Sequence, residues 1–354
     1  MRVSSQAFYI VMNKGVAGCD SFALYIHFMH KIAIFRALYL GDFLCSIPAV
    51  RAIRKQYPTS EITWIGLSQM KSLALRFSDY IDHYLDFPGY PLLTEESIDV
   101  EAFASFLDSV RSESFDIIFQ LQGKGTIINN LLKSFNAKRT ICFTHDPAKV
   151  GKNTLLYPED RHEIERHLAL LKHVGISPQG DHLEFPLSQE DQISLESAMP
   201  SLSRYICVHP GAKASWRRWP PANFAVLADY VAGKGYQVVI TGTHDEFGLA
   251  EEVARLMRHK PLIASGKLSL GGTAVLLSRS SFLISNCTGV SHLAAALEVP
   301  SLVISMDGEP KRWGPLNKKL HHTIDWAGNS SFQTVLSALE SSPFIDSQIS
   351  TDEG

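Results

Sequence analysis

The pattern of apolar and polar residues changes at Lys31, where short apolar runs begin to alternate with amphipathic stretches of helical period. Apolar runs of this length, bounded by turn residues, predict buried parallel strands, and the stretches between them predict covering helices. The predicted strands of this first series are 31–36, 61–66, 115–121 and 139–143, and the helices include 43–56 and 101–111. The alternation predicts an α/β domain.

A second series of the same kind begins at residue 204. Its predicted strands are 204–208, 237–241, 261–264, 282–285 and 301–305. Residues 184–203 hold Pro186, Pro200 and many small or charged side chains, a composition that favours an exposed connector. We therefore expect a poorly ordered extension at 1–30, Rossmann-like domains at 31–187 and 204–342, a linker at 188–203 and a frayed tail at 343–354. Two such domains would place a ligand cleft between the carboxyl ends of their parallel sheets.

Composition narrows the class of protein. The chain has 354 residues and a net charge of −3, so its length fits two domains and its charge does not favour nucleic acid as a partner. Its five cysteines include no CxxC pair, which argues against disulfides and zinc and favours a reducing, cytoplasmic compartment. His162 and His167 are five residues apart rather than four, so they do not form a helical metal motif. No apolar run reaches the roughly 18 to 20 residues of a membrane span. We expect no metal and no cofactor.

The first segment with candidate chemistry runs from Arg36 to Gly41 and Asp42, directly after the first predicted strand. Glycine permits a tight turn, and Asp42 would stand at the start of the next helix, at the ligand-binding edge of the sheet. Aspartate is also a common helix cap that the helix dipole stabilises. From the residues alone, Asp42 is either a cap or a general base.

The second segment, His209 to Pro220, follows the first strand of the second series. It combines a small-residue turn at Gly211 with the cations Lys213 and Arg217. Backbone N–H groups and a guanidinium fork suit a diphosphate, whereas an exposed loop with solvated cations is the structural alternative.

The third segment, residues 285–292, ends a strand and turns through Thr288 and Gly289 into an apolar helix that carries His292. The exposed N–H groups of such a helix start can bind an anion, although serine and threonine also cap helices routinely. Cys287 has no partner that would support a nucleophile, so we expect a buried small residue there.

Two further signals are weaker. Glu246 follows another strand and could bind a ribose hydroxyl, or could only complement a helix dipole. Lys124 lies in a Gly-Lys-Gly-Thr string that lacks the spacing of a P-loop. The first strand is not followed by GxGxxG, which disfavours a nicotinamide dehydrogenase.

Six segments, in order and spacing, resemble glycosyltransferase family nine, the heptosyltransferase family of lipopolysaccharide core assembly, from Lys31 to about Trp313. They are Arg36…Gly41-Asp42 with Pro48-Ala49-Val50-Arg51-Ala52, Phe115-Asp116…Gln120-Leu121-Gln122-Gly123, His209-Pro210-Gly211…Arg217-Arg218-Trp219-Pro220, Gly266-Lys267-Leu268-Ser269-Leu270, Thr288-Gly289…His292-Leu293-Ala294-Ala295-Ala296 and Arg312-Trp313-Gly314-Pro315.

The resemblance implies a GT-B fold and metal-independent, inverting transfer of a sugar from a nucleotide diphosphate sugar. The family's general base falls on Asp42 and its phosphate-binding lysine falls on Arg217. The remaining implied donor residues are Gly211, Lys213, Glu246, Lys267, Thr288, Gly289 and His292, with His244 as an alternative to Glu246. On the acceptor side stand Arg36, Gly41 and Lys124. The family usually has aspartate where this chain has Cys287.

The implied donor is ADP-heptose, and the implied acceptor is a saccharide or lipid-linked saccharide of the lipopolysaccharide type. Such an acceptor implies a transient, peripheral contact with the inner membrane surface. Two alternatives stay open: a nucleotide-sugar epimerase or hydrolase of the same fold, and a catalytically inactive nucleotide-sugar-binding subunit. Fold analogy alone does not choose among them.

Overall fold

The computed structural model of the chain describes residues 8–9, 27–93, 99–328 and 331–345. The chain forms two compact units, the first made of Met1–Tyr39, Ser46–Glu159 and Ile164–Asp181, and the second of Leu40–Cys45, Asp160–Glu163 and His182–Gly354. Near the amino terminus, strands β1 (Phe8–Tyr9) and β2 (His27–Phe28) pair in antiparallel fashion. Most of the extension predicted at 1–30 and of the tail predicted at 343–354 lies outside the described residues.

The first unit holds a six-stranded sheet in the described part of the chain, ordered β5-β4-β3-β6-β7-β8. Its strands are β3 (Lys31–Phe35), β4 (Glu61–Gly66), β5 (His83–Asp86), β6 (Ile117–Gln120), β7 (Arg139–Thr144) and β8 (Thr154–Leu156). All neighbours pair in parallel. The helices are α2 (Ile47–Gln56), α3 (Lys71–Leu75), α4 (Val100–Ser112), α5 (Ile127–Lys133) and α6 (Glu163–His173). The central strands are buried on both faces, as the apolar runs predict.

The second unit repeats this plan with a parallel sheet ordered β11-β10-β9-β12-β13-β14. Its strands are β9 (Tyr205–His209), β10 (Gln237–Ile240), β11 (Leu262–Ile263), β12 (Leu283–Asn286), β13 (Ser301–Ser305) and β14 (His321–Asp325). Its helices are α1 (Leu40–Leu44), α7 (Gln189–Ala198), α8 (Pro221–Gly233), α9 (Phe247–Leu256), α10 (Leu270–Ser278), α11 (Gly289–Ala296), α12 (Pro310–Trp313) and α13 (Phe332–Glu340).

Each sheet reverses its strand order at one point. Counted from its own first strand, each has the doubly wound order in which the first strand lies between the second and the fourth. The reversal falls between β3 and β6 in the first unit and between β9 and β12 in the second. Ligands of open parallel sheets bind at the carboxyl ends of the strands at this reversal. We therefore expect a ligand site in the segments that follow β9 and β12.

The predicted strands are confirmed to within two residues, but the helix predicted at 43–56 is two helices. Helix α1 ends at Leu44, and α2 begins at Ile47 with Pro48 in its first turn. Proline lacks an N–H donor and clashes with the preceding turn, so it suits a helix start and not a helix interior. The break separates α1 from α2, and α1 belongs to the second unit.

The interval predicted as a linker contains helix α7. Ser188 accepts a hydrogen bond from the Asp191 N–H while the Asp191 carboxylate accepts one from the Ser188 N–H, which is a capping box. Helix α7 packs on α10, so this interval is part of the second unit. Among the residues that the structure describes, no helix combines the length and the apolar content needed to cross a membrane.

Candidate active site

Asn286 fixes the loop that follows β9. Its side chain is fully buried at the end of β12, where Nδ2 donates to the Pro210 carbonyl at 2.8 Å and Oδ1 accepts from the Trp219 N–H at 3.0 Å. One amide thus holds both ends of the loop, and each end pairs with a different atom of that amide. Sequence reasoning gave Asn286 no role; a polar residue ending an otherwise apolar strand was the available signal.

Trp219 anchors the same loop in the core. Its side chain is fully buried, and its ring meets Phe224 edge-on at a centroid distance of 5.2 Å and Trp326 at 5.4 Å. Replacing a tryptophan packed in this way by alanine typically costs about 3 to 5 kcal/mol of stability. The loop therefore ends at a rigid point, two residues beyond the predicted phosphate ligand Arg217.

Arg217 lies beside the start of α11. Its Nη2 donates to the Cys287 carbonyl at 2.9 Å and to Asp307 Oδ2 at 2.6 Å. The arginine side chain is 30% exposed, whereas that of Asp307 is 8% exposed. Thr288 is the N-cap residue of α11 and Gly289 begins its first turn, where backbone N–H groups lack partners within the helix. A guanidinium beside a helix N-terminus is a strong combination for binding an anion.

Asp307 is the second residue that sequence reasoning missed. It follows β13, and its Oδ1 accepts hydrogen bonds from Ser305 Oγ at 2.8 Å and from the Glu309 N–H at 3.2 Å. These bonds hold the carboxylate at the carboxyl end of the sheet, where Arg217 meets it.

Glu246 lies against the turn at Gly211. A Cβ atom on Gly211 would fall 2.2 to 2.5 Å from the Glu246 carboxyl atoms, so any side chain there would push this carboxylate out of its place. Glu246 Oε2 accepts from the Thr243 N–H at 2.9 Å and lies 3.9 Å from His209 Nε2. Burial lowers the pKa of His209, although the Glu246 carboxylate opposes that shift. A carboxylate has several lone-pair sites, so Glu246 can accept a further hydrogen bond from a ligand hydroxyl.

The other donor-side residues lie at the same edge of the second unit. His244 contacts Gly266, whose φ is +71° and whose Cβ position would be 3.0 Å from the His244 Cα. Lys267 follows Gly266 and is exposed, as is Lys213 in the loop after β9. The two lysines add positive charge beside the turns that follow β9 and β11.

Helix α1, which carries Asp42, packs closely on α11. A Cβ on Gly41 would lie 2.7 Å from His292 Cδ2, and a Cβ on Gly289 would lie 3.1 Å from the Leu40 Cβ. His292 is buried, and its Nδ1 lies 3.5 Å from the Cys45 sulfur. The partly buried Asp42 belongs to the first turn of α1 rather than to a cap position before it. The second unit thus brings together the helix of the predicted base and the helix of the predicted phosphate site.

The close approach at Gly41 leads to a stability prediction. We expect Gly41→Ala to lower the free energy of unfolding by about 1 to 3 kcal/mol, because the added methyl group must displace the His292 ring. Chemical denaturation measures the difference. Gly233→Ala is the matched control, since nothing lies within 4 Å of its Cβ position. Equal stability of the two variants would contradict the packing described for α1.

The residues predicted to bind the acceptor lie in different parts of the structure. Arg36 is 1% exposed; its guanidinium donates to the Leu121 carbonyl, and its Nη1 lies 2.9 Å from His167 Nε2. Lys124 is exposed and pairs with Glu159 at 2.6 Å. Both belong to the first unit, whereas Gly41 belongs to the second. Their acceptor roles stay predictions, and Arg36 in particular would have to act through the backbone that it holds.

Cys287 is buried, as expected. Burial chiefly, with the Asp307 carboxylate adding to it, raises the pKa of its thiol to about 12, and burial raises that of Cys207 to about 12 as well. We expect both to react with iodoacetamide at pH 8 about 10³-fold more slowly in the native protein than after unfolding, since only the thiolate is nucleophilic. Mass spectrometry of the labelled peptides tests this. Rapid labelling of Cys287 in the native protein would contradict this expectation and make a nucleophilic role for Cys287 possible again.

Within the described ranges, no three histidine, cysteine, aspartate or glutamate side chains lie close enough to hold a metal ion together.

The anion-binding potential of the second unit rests on Arg217, the turn at Gly211 and the start of α11. A doubly wound parallel sheet with such features at its strand reversal is the arrangement that nucleotide-binding α/β proteins commonly use.

Comparison with known proteins identifies the family. The model of glycosyltransferase family 9 (heptosyltransferase) matches residues 103–335, so the chain belongs to this family and is a glycosyltransferase. Lipopolysaccharide heptosyltransferase 3 of Escherichia coli (strain K12) is 23% identical over 304 residues, covering 82% of this chain and 86% of that protein. The resemblance drawn from the sequence is thereby confirmed.

Solved structures show the same fold. The family 9 glycosyl transferase of Veillonella parvula DSM 2008 superposes with a TM-score of 0.72 and 21% identity, covering 88% of this chain and 96% of that one. The E. coli ADP-heptose lps heptosyltransferase II superposes with a TM-score of 0.69 and 20% identity, covering 87% and 98%. The fold is of the GT-B type, as predicted.

Proposed function

We propose that this chain transfers heptose from ADP-heptose to a hydroxyl of a lipopolysaccharide-type acceptor, with inversion, and that Asp42 is the general base. The observation that carries the donor part is the position of Arg217. Its Nη2 lies 2.9 Å from the Cys287 carbonyl, at the start of α11. A diphosphate bound there would meet a guanidinium and helix N–H groups together.

The identity of the donor is supported by the relatives. The E. coli neighbour is described as an ADP-heptose lipopolysaccharide heptosyltransferase, and the K12 relative as a lipopolysaccharide heptosyltransferase. Glu246, beside the turn at Gly211, is the candidate partner of a ribose hydroxyl, because an ionised carboxylate only accepts hydrogen bonds. His292 is proposed to act indirectly, because its ring packs between α11 and α1.

Inverting transfer requires a base on the face of the sugar opposite the leaving group, with the acceptor hydroxyl taking the place that water has in an inverting glycosidase. Asp42 accepts the proton of that hydroxyl in our proposal. The nucleoside diphosphate gains negative charge as the glycosidic bond breaks, and Arg217 with the Thr288 and Gly289 N–H groups stabilises it. Lys213 and Lys267 add positive charge, so no metal ion is assigned a step.

The acceptor is proposed to be a saccharide or a lipid-linked saccharide. Gly41 lies next to the base, and Lys124 is an exposed cation that could meet an acidic acceptor group once Glu159 releases it. A lipid-linked acceptor would bring the protein to a membrane surface transiently. Arg36 contributes indirectly, by holding the Leu121 carbonyl at the end of β6.

The test is an assay of purified protein with ADP-heptose in the presence and absence of a lipopolysaccharide core acceptor. We expect ADP release that depends on the acceptor, a product of inverted anomeric configuration and full activity in EDTA. Equal ADP release without acceptor would indicate a hydrolase, and loss of activity in EDTA would contradict metal independence. If no nucleotide sugar is turned over although one stabilises the fold, the chain is a binding subunit. Ligand at about 100 times its Kd should add about 2.7 kcal/mol of stability.

A further inference from the structure

We propose that Asp307 is a positioning residue for the donor site: its carboxylate orients the Arg217 guanidinium so that the remaining N–H groups face the diphosphate. The inference rests on the proposed function and deepens it. The observation behind it is a nearly buried carboxylate in direct contact with the main cation of the site, at 2.6 Å from Arg217 Nη2.

The geometry of Arg217 divides its donors into two groups. Both hydrogen bonds that it makes to described residues, to Asp307 and to the Cys287 carbonyl, use Nη2. An arginine has five N–H donors in a rigid plane, so fixing Nη2 fixes the directions of Nε and Nη1 as well. Those two nitrogens make no hydrogen bond within the described part of the chain, and the side chain is 30% exposed. They can bind a phosphate without displacing Asp307.

Asp307 is itself held firmly. Ser305 Oγ and the Glu309 N–H both donate to Oδ1, which leaves Oδ2 to face Arg217. These two hydrogen bonds fix the position of the carboxylate relative to the backbone after β13. The orientation of the guanidinium therefore derives from strand β13, on which the carboxylate is anchored.

Cys287 directly follows β12, the strand beside β13. A substitution there can test whether Asp307 orients Arg217 or only supports the fold. Arg217 Nη2 donates to both the Asp307 carboxylate and the Cys287 carbonyl, so position 287 lies close to the same guanidinium. A carboxylate introduced at position 287, where the family pattern has aspartate, would approach the same guanidinium from β12 instead of β13.

A competing role for Asp307 makes the opposite prediction. If its carboxylate only occupied the place of the diphosphate, removing it would tighten nucleotide binding and leave transfer intact or faster. If it orients Arg217, removing it weakens binding and slows transfer. The two roles therefore differ in the sign of the effect.

The experiment compares wild type, Asp307→Ala, Cys287→Asp and the double variant, using ADP calorimetry and the transfer assay. We expect Asp307→Ala to reduce kcat/KM and ADP affinity by about 10- to 100-fold, the range for one charge-assisted hydrogen bond. The double variant should regain most of both losses, whereas a defect of folding alone would not be repaired by a new charge. Glu309→Gln is the control, because it removes a carboxylate two residues from Asp307 that lies 3.5 Å from Arg312 Nη1.

Each outcome decides the proposal. Tighter ADP binding by Asp307→Ala, or unchanged binding and transfer, overturns it, and so does a double variant no better than Asp307→Ala. If wild type transfers heptose while Asp307→Ala is unaffected, only the positioning role fails. If wild type transfers nothing, the proposed function fails, and the ADP affinities of the four proteins still decide the role of Asp307.

Discussion

Replacing Asp42 by asparagine is expected to slow heptose transfer by about 10²- to 10⁴-fold, the contribution of a well-placed general base. Asparagine has nearly the same shape and also suits a helix start, so the packing of α1 on α11 should survive. Donor affinity should therefore change little, and the loss should appear in kcat. Steady-state kinetics with ADP-heptose and acceptor, together with calorimetry of the nucleotide, measure the two quantities separately.

Asp99→Asn is the matched control. Asp99 caps α4 and accepts hydrogen bonds from the Glu101 and Ala102 N–H groups, so the substitution removes a charge from another helix start. It should leave transfer unchanged. Near-normal transfer by Asp42→Asn would show that Asp42 is only part of the helix start and that the base lies elsewhere.

Replacing Arg217 by alanine should weaken ADP and ADP-heptose binding by about 10- to 100-fold, because it removes charge-assisted hydrogen bonds to the diphosphate. Transfer should fall further, since the leaving group gains charge in the transition state. Arg217→Lys should recover only part of the affinity, because lysine keeps the charge but lacks the planar fork.

Arg279→Ala controls for the loss of one positive charge in the same unit. Arg279 follows α10 and pairs with Glu196 at 3.5 Å, an ion pair of the surface type. It should have wild-type nucleotide affinity. If calorimetry finds that Arg217→Ala binds nucleotide as tightly as wild type, Arg217 is not a donor ligand. The loop after β9 would then be an exposed structural turn.

The architecture follows from local sequence wherever burial is strong. Strands β4 and β13 were predicted at their observed bounds, because both are apolar runs buried on two faces. Strands β5, β8 and β14 were not predicted. β5 and β8 are only half-buried or exposed, and β14 mixes buried with exposed positions, so their residues do not form an apolar run.

The contacts of the site depend on residues far apart in the chain. Cys45 and His292 are 247 residues apart, and Arg217 and Asp307 are 90 apart. Periodicity and spacing report only on near neighbours, so they found the segments that carry Arg217 and His292 but not their partners. The assignment of α1 to the second unit could not be predicted for the same reason. Asp307 lies in a segment that no motif singled out.

The two hydrogen bonds of the buried Asn286 amide also affect how the loop after β9 can change in evolution. Since the Pro210 carbonyl and the Trp219 N–H are both fastened to one buried amide, the ends of the intervening segment are fixed independently of its side chains. We therefore expect substitutions at 212–218 to change the surface of this segment while the strand ends keep their places. If the proposed donor site is correct, donor preference can evolve within one short peptide while the fold of the second unit stays the same.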